Sequence, residues 1–187
     1  MRDPLPPLTI RRAVWPDDYE AVCSVRAPTT YVVEDGAVGF MGKRVELSPE
    51  EALKRRVSAR LGTALRDNAS VLIAVLEDGS VVATTDLIPL EGASRRAFDP
   101  ELPQRCLVRN VWVLPEVRRR GLARAMMVEA EKEAKALGAK MLTLDVNWDN
   151  EAALQLYTGL GFEDLQPSKL PLPKWMRGSL QLGKKLE

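Results

Sequence analysis

The sequence contains no histidine among its 187 residues. Catalytic triads that use a histidine base, and zinc sites built on histidine, are therefore excluded for this chain. Cysteine is almost as scarce, since Cys23 and Cys106 are the only two. Two cysteines give no disulfide framework and fit a reducing compartment. A general base, where the chemistry needs one, must come from another side chain or from water.

Long apolar runs are missing as well, and the net charge is close to zero. No stretch approaches the ~18 apolar residues of a membrane helix, and no signal peptide or Ser/Arg-rich transit segment follows Met1. The 27 basic and 26 acidic residues leave a net charge of +1, so no global field favours nucleic acid. We expect one domain over residues 1–187, with a flexible tail at 1–7, and neither a membrane nor a nucleic acid as partner.

The apolar periodicity predicts alternating strands and helices. A hairpin is expected where two β-branched runs meet at Asp78-Gly79, and a helix at 48–67 where Ser48 and Glu51 form a capping box. Residues 28–47 read as irregular, and the tail 179–187 as a strand that closes the sheet edge. The remaining strands are expected at Leu8–Val14, 105–115 and Lys140–Val146, with a further strand that starts at 161–164. The remaining helices are expected at 17–26, 117–138 and 150–160. This alternation implies a mixed α/β sheet with helices on both faces.

The helix-forming stretch 117–138 begins with a concentration of arginine: Arg118, Arg119, Arg120 and Arg124. A helix N-terminus carries partial positive charge, so cations there repel one another and the backbone. A bound anion would resolve this conflict, and a strand, a Gly/Arg-rich turn and a helix can cradle a phosphate. Gly121 permits a close approach to the backbone, and Ala123 leaves the helix start uncrowded. The loop matches neither a Walker A motif nor a dinucleotide fingerprint. A solvated basic turn is the alternative, and the charge placement favours a pyrophosphate.

Two motifs in this region resemble the GNAT N-acetyltransferase superfamily. "VLPEVRRRGLA" is similar to its acetyl-CoA signature, Arg/Gln-x-x-Gly-x-Gly/Ala, with Arg118, Gly121 and Ala123 in the defined places. "NEAALQLYTGLGF" is similar to its second signature, with Asn150, Ala153 and Tyr157 followed by Leu160-Gly161-Phe162. A finer likeness is to the plastid protein acetyltransferases of plants and algae, which combine Asn-Val before the loop with "RRRG". That likeness implies the plastid stroma; otherwise the cytoplasm is expected.

The resemblance implies a mostly antiparallel sheet that splays between its fourth and fifth strands, with acetyl-CoA as co-substrate and no metal. Pantetheine would lie in the gap beside Val111, Trp112 and Val113, although these residues could also be ordinary strand core. The implied cofactor-binding set is Val111, Trp112, Val113, Arg118, Arg119, Arg120, Gly121, Leu122, Ala123, Arg124, Asn150, Glu151, Ala152, Ala153 and Tyr157.

The same resemblance assigns Tyr157 as the general acid that protonates the departing thiolate. Phenol and thiol pKa values of ~10 and ~8.5 are compatible with that transfer, and a half-buried aromatic anchor is the alternative role. Asp145, at the end of a predicted strand, is the candidate general base, and a turn or capping aspartate is its alternative. Glu34, Asp35 and Asp86 are further candidate bases, as is a water relay from a distant carboxylate.

The expected reaction is direct acetyl transfer in a ternary complex to protein N-terminal α-amines, with lysine ε-amines as second targets. Segments 28–47 and 164–177 should form the acceptor-side loops, with an apolar lining from Tyr31, Phe40, Met41 and Trp175. The alternative substrate is a small arylalkylamine or polyamine. A non-catalytic acyl-CoA-binding domain is a further alternative, against which the intact Tyr157 and Asn150 count. The sequence leaves the oligomeric state open.

Overall fold

A computed structural model describes residues 7–26, 37–40, 43–46, 69–90, 104–165 and 179–187. The strands in these ranges are β1 Leu8–Arg12, β2 Ala37–Phe40, β3 Lys43–Glu46, β4 Ser70–Leu76, β5 Val81–Leu90, β6 Arg105–Val113, β7 Met141–Asn147, β8 Glu163–Asp164 and β9 Ser179–Lys185. The α-helices are α1 Tyr19–Arg26, α2 Leu122–Ala136 and α3 Glu151–Thr158, and a short 3-10 turn covers Pro115–Val117.

Seven strands form one sheet in the order β1-β4-β5-β6-β7-β9-β8. Every neighbouring pair is antiparallel except β6 and β7, which run parallel. Strands β2 and β3 pair with each other in a separate two-stranded sheet. The predicted fold class, a mixed and mostly antiparallel α/β sheet, is therefore confirmed.

The predicted hairpin joins β4 to β5. Gly79 lies in the left-handed region at φ 85, which glycine adopts without steric cost. The carboxylate of Asp78 accepts a hydrogen bond from the Ser80 N–H at 2.8 Å. An aspartate that bonds two residues ahead favours a tight turn, so the local chemistry fixes the connection between the two strands.

Helices cover both faces of the sheet, because successive side chains of β4 pack against different helices. Leu72 and Ala74 lie in one buried cluster with Met126 of α2. Ile73, between them, lies in another cluster with Val22 of α1. Since successive strand residues point to opposite faces, α1 and α2 sit on opposite sides. Burying side chains such as Ile73 stabilises this two-sided core by about 1.5–3 kcal/mol each.

Three predictions need correction. The predicted helix 117–138 begins only at Leu122, so Arg118–Arg120 lie in the turn before it. Strand β9 does not close the sheet edge, because β8 pairs on its outer side. Residues 28–47 are not wholly irregular, because β2 and β3 form a hairpin too short for periodicity to reveal. The predicted helix at 48–67 lies outside the described residues. In the ranges that the structure describes, no helix has the length and hydropathy to span a membrane.

Candidate active site

Strands β6 and β7, the fourth and fifth of the large sheet in chain order, separate after a short parallel ladder. The ladder ends where Val108 pairs with Leu144. Beyond that rung, β6 continues to Val113 and β7 to Asn147. The predicted splay between these strands is confirmed, and it leaves the backbone edge of β6 beyond Val108 without a β7 partner.

A β-bulge in β6 accounts for the separation. The register of β5 against β6 shifts between Thr84 and Asp86, so that Asn110 and Val111 both stand opposite Thr85. An extra residue of this kind bends its strand and increases the local twist. Asn110 has φ 50, a left-handed conformation that asparagine tolerates better than most residues. The bend therefore directs the end of β6 away from β7.

The bulge also reverses which side chains of β6 point to each face of the sheet. Before it, Cys106 and Val108 belong to the core cluster beneath α2 and α3. After it, Val111 packs against that same cluster, and Val113 lies in a cluster with Leu122 of α2. Without the extra residue, odd-numbered side chains would point to the other face. The bulge thus turns Val111 and Val113 toward the helices that flank the splay.

The turn before α2 has the geometry of an anion cradle. Arg119 has φ 64 and Gly121 has φ 83, both left-handed, so successive backbone N–H groups can converge. A Cβ on Gly121 would meet no atom within 4 Å, so the loop opens onto free space there. Gly121 is also the N-cap of the 15-residue helix α2 and offers no side-chain cap. The first N–H groups of the helix are therefore available to an anion.

Arginine side chains surround this cradle and anchor it. Arg118 Nε donates to the carbonyl oxygen of Val113 at 2.8 Å, which ties the turn to the end of β6. Arg124 Nη2 donates to the carbonyl oxygen of Gly159 at 3.3 Å. Arg120 Nε is buried and has no hydrogen-bond partner among the residues that the structure describes. A buried, unsatisfied donor in a cationic loop is the kind of group that a phosphate oxygen satisfies.

Helix α3 forms the other wall of the splay. Asn150 caps it, because its side-chain oxygen accepts a hydrogen bond from the Ala153 N–H at 3.2 Å. This cap explains the asparagine of the second motif in physical terms. Tyr157 is 8% exposed and its ring centroid lies 5.8 Å from that of Phe162. Burial raises the pKa of Tyr157 to about 12, so the phenol stays protonated at neutral pH.

These elements enclose a cavity of about 570 Å³, within the usual range for ligand sites. It is lined by Val111, Trp112, Val113, Val117, Arg118, Arg119, Gly121, Leu122, Ala123, Arg124, Asn150, Ala152, Ala153, Leu156 and Tyr157. Of the predicted cofactor set, only Arg120 and Glu151 are absent from the lining. Val117 and Leu156 also line the cavity and were not predicted, because each is an apolar residue at a position that its motif does not define. The left-handed cradle, the lining side chains of Arg118, Arg119 and Arg124 and the cavity size fit acetyl-CoA, whereas the unsatisfied Arg120 Nε lies outside the lining.

The candidate base Asp145 lies near the splay but not in this cavity. Its neighbours Leu144 and Val146 belong to the same buried cluster as Tyr157. Asp145, between them on β7, is exposed and points to the opposite face. It stands one residue beyond the last rung of the parallel ladder. Its carboxylate is thus placed for a substrate that reaches the splay from the side away from the cavity.

Of the other candidate bases and the named acceptor-side residues, the structure describes the side chain of Asp86 alone. Asp86 is completely buried, and its carboxylate accepts hydrogen bonds from Arg26 and Asn110. Glu34 and Asp35 lie outside the described residues, as do Tyr31, Met41, Trp175 and the side chain of Phe40. Across the described ranges, no group of three or more Cys, Asp or Glu side chains is arranged to hold a metal ion.

Comparisons with known proteins place this geometry in a family. The family model "Acetyltransferase (GNAT) family" matches residues 40–162, more than half of the chain. No curated protein sequence gives a significant match.

Solved structures of similar fold span nearly the full chain. One is a ribosomal-protein-alanine N-acetyltransferase from Brucella melitensis, at 22% identity and TM-score 0.61, covering 95% of this chain and 99% of that one. Another is the PaiA N-acetyltransferase of Thermoplasma acidophilum with coenzyme A, at 16% identity and TM-score 0.65, covering 96% and 99%. A third is a phosphinothricin acetyltransferase from Sinorhizobium meliloti with acetyl-CoA, at 16% identity and TM-score 0.62, covering 96% and 88%.

The splayed parallel pair, the glycine- and arginine-rich cradle and the capped helix are thus found in a chain that the family model also recognises. The chain therefore belongs to the acetyltransferase (GNAT) family and is an acetyl-CoA-dependent acetyltransferase.

Proposed function

We propose that this enzyme acetylates protein N-terminal α-amines, with lysine ε-amines as second acceptors. The observation that carries the proposal is the position of Asp145, an exposed carboxylate at the splay on the face opposite the cavity. There it can meet an amine that enters from outside while the thioester is held on the other side. The ribosomal-protein-alanine N-acetyltransferase among the similar structures supports a protein acceptor.

Acetyl-CoA supplies an activated acetyl thioester when bound. The residues that hold it are those of the cradle before α2, which would take the pyrophosphate through backbone N–H groups and arginine side chains. The unpaired edge of β6 at Val111–Val113 would accompany the pantetheine, since that edge still has strand hydrogen bonds to give. The cavity between α2 and α3 has apolar side chains such as Val111 and Leu156 in its lining, and these would limit the access of water to one side of a bound thioester.

The acceptor nitrogen must lose a proton to attack. At pH 7 neutralising an α-amine of pKa ~7.8 costs about 1 kcal/mol, whereas a lysine amine of pKa ~10.4 costs about 4.6 kcal/mol. Asp145 would take this proton directly or through water. The carbon–nitrogen bond then forms and the nitrogen loses a second proton, while the carbon–sulfur bond breaks and the sulfur gains one, so that the products are an amide and a thiol. An enzyme with one exposed carboxylate as base should therefore favour α-amines over lysines.

Tyr157 would act on the leaving thiolate. Its phenol has a pKa of about 12, whereas that of a thiol is ~8.5, so complete proton transfer is uphill by about 5 kcal/mol. The phenol therefore contributes first as a hydrogen-bond donor to the sulfur, and the proton follows as negative charge develops there. This role requires the hydroxyl, whereas a packing role requires only the ring.

A small-molecule amine is the second candidate acceptor. The phosphinothricin acetyltransferase has a TM-score close to that of the protein-acetylating structure, so the fold itself suits both classes. Incubation with acetyl-CoA and a peptide library, read by mass spectrometry for α- and ε-acetylation, tests the proposal. Modified peptides support it, and turnover confined to small amines would contradict it. A single domain and a plastid location remain predictions.

A further inference from the structure

Asp86 is a carboxylate with no exposed surface, at the centre of β5. A buried charge must be paired and hydrogen-bonded, and two side chains do this. Arg26 Nη2, at the end of α1, lies 2.5 Å from one carboxylate oxygen, and Asn110 Nδ2 lies 2.6 Å from the other. Arg26 also donates through Nε to Thr84 Oγ1 at 3.0 Å. The Arg26–Asp86–Asn110 network therefore connects α1 to the bulge of β6.

The bulge needs such support because its backbone is unfavourable. A non-glycine residue in the left-handed region costs free energy, and Asn110 adopts it at φ 50. Its side-chain amide is fixed by Asp86 on one face of the sheet. On the other face, Thr85 Oγ1 donates to the carbonyl oxygen of Arg109 at 3.2 Å. Two adjacent residues of β5 thus hold the bulge from both sides.

The position of Asp86 rules out direct contact with an acceptor amine. Its side chain is 0% exposed, and both of its oxygens accept hydrogen bonds. An incoming nitrogen would first have to displace Arg26 or Asn110. The carboxylate therefore acts on the reaction through the groups that it holds.

We propose that Asp86 is a positioning residue that locks the Asn110 bulge and so sets the path of Val111–Val113 along the cavity. The inference rests on the acetyl transfer of the proposed function but not on the choice of amine. Strand β6 changes face at this bulge, so a loosened Asn110 displaces the backbone edge that would accompany the thioester. A misplacement of ~1 Å at a reacting group can lower turnover by roughly 10²-fold.

The decisive variant is Asn110→Gly. Glycine adopts the left-handed conformation freely, and the Arg26–Asp86 ion pair stays intact, so the fold is retained. Only the hydrogen bond to Asp86 is lost. We expect kcat to fall by roughly 10- to 100-fold, with little change in the KM for the amine. Asp86→Asn should lower kcat by a similar factor and should also lower the Tm, because it removes the charge that pairs with the buried Arg26. The double variant should lose little more kcat than either single variant, since both changes loosen the same bulge.

The pH profile separates positioning from base catalysis. For a positioning role, kcat/KM in Asp86→Asn falls by the same factor at every pH, and the profile keeps its shape. Asp18→Asn is the matched control, because Asp18 is also a buried carboxylate paired with an arginine, Arg11, but lies away from the splay. It should lower the Tm and leave kcat unchanged.

Two results would overturn the inference. One is an unchanged kcat in Asn110→Gly. The other is a kcat/KM that no longer falls at low pH in Asp86→Asn and in no other variant, which would make Asp86 the base. If Asp86→Asn does not fold, Thr85→Val replaces it, since it removes the other support of the bulge and keeps the ion pair. The assay uses whichever amine the wild-type enzyme acetylates. Failure with peptides would therefore count against the proposed acceptor and leave this test intact.

Discussion

Asp145 and Tyr157 lie on opposite faces of the sheet, on either side of the splay between β6 and β7. Tyr157 shares a buried cluster with Leu144 and Val146, and Asp145 points away from that cluster. The arrangement separates the two proton transfers of the proposed reaction. A base would meet the amine on one face, and an acid would meet the sulfur on the other.

Asp145→Asn should lower kcat/KM for a lysine acceptor by on the order of 10² or more, because that amine depends most on a base. The loss for an α-amine should be smaller, and a higher pH should partly restore both. The measurement is kcat/KM against pH for two peptides, one with a free N-terminus and no lysine, the other N-blocked with one lysine. Asp149→Asn, another exposed carboxylate four residues away, is the control and should have no effect. Equal, small losses on both peptides would exclude Asp145 as the base.

Gly121→Val should abolish acetyl-CoA binding while the protein stays folded. The new side chain would project into the open space of the cradle and restrict a backbone at φ 83. Gly79→Val is a matched control, because Gly79 has φ 85 and equally free space but lies in a distant hairpin. Both variants should lose similar stability, and only the first should lose affinity in calorimetric titration. Unchanged affinity in folded Gly121→Val would remove the cradle as the phosphate site.

Tyr157→Phe should lower kcat by roughly 10- to 1,000-fold and leave the Kd for acetyl-CoA nearly unchanged. Only the hydroxyl is removed, so the contact with Phe162 is kept. Tyr19→Phe, which removes a phenol from α1, should retain full turnover. Wild-type kcat in Tyr157→Phe would leave Tyr157 with a packing role only.

The raised pKa of Tyr157 gives a second, independent signature. The folded enzyme keeps the phenol protonated up to about 12, whereas in the unfolded chain it ionises near ~10. The unfolded state therefore binds fewer protons between these values, and the free energy of unfolding should decrease as the pH rises through them. This contribution should be absent from Tyr157→Phe in alkaline denaturation experiments.

Local chemistry explains what could be predicted from the sequence. The turn at Asp78-Gly79 depends on residues close in sequence, and its prediction is confirmed. The helix predicted at 150–160 is found at Glu151–Thr158, but its capping by the Asn150 side chain was not predicted. The anion cradle at Gly121 could be predicted because arginines, which are unfavourable at a helix N-terminus, flank this glycine in the sequence. Most of the residues predicted to bind acetyl-CoA line one cavity, because the two motifs carry them, and their contact with the cofactor stays a prediction.

What could not be predicted depends on partners far apart in the chain. Asn110 reads as an ordinary strand residue until β5 pairs with β6 and leaves it in a bulge. The ion pair of Arg26 with Asp86 joins residues 60 positions apart, so no local pattern reveals it. Asp145 was assigned as a base from resemblance, and only the packing of β7 shows which face it occupies.

The most direct test of the central claim compares three acceptors with wild-type enzyme and acetyl-CoA. They are the lysine-free peptide with a free N-terminus, the N-blocked peptide with one lysine, and a small arylalkylamine or polyamine. Mass spectrometry identifies the acetylated nitrogen, and initial rates give kcat/KM for each acceptor. We predict the highest kcat/KM for the α-amine peptide and a lower, measurable value for the lysine peptide at pH 7. Turnover of the small amine with neither peptide acetylated would contradict the account.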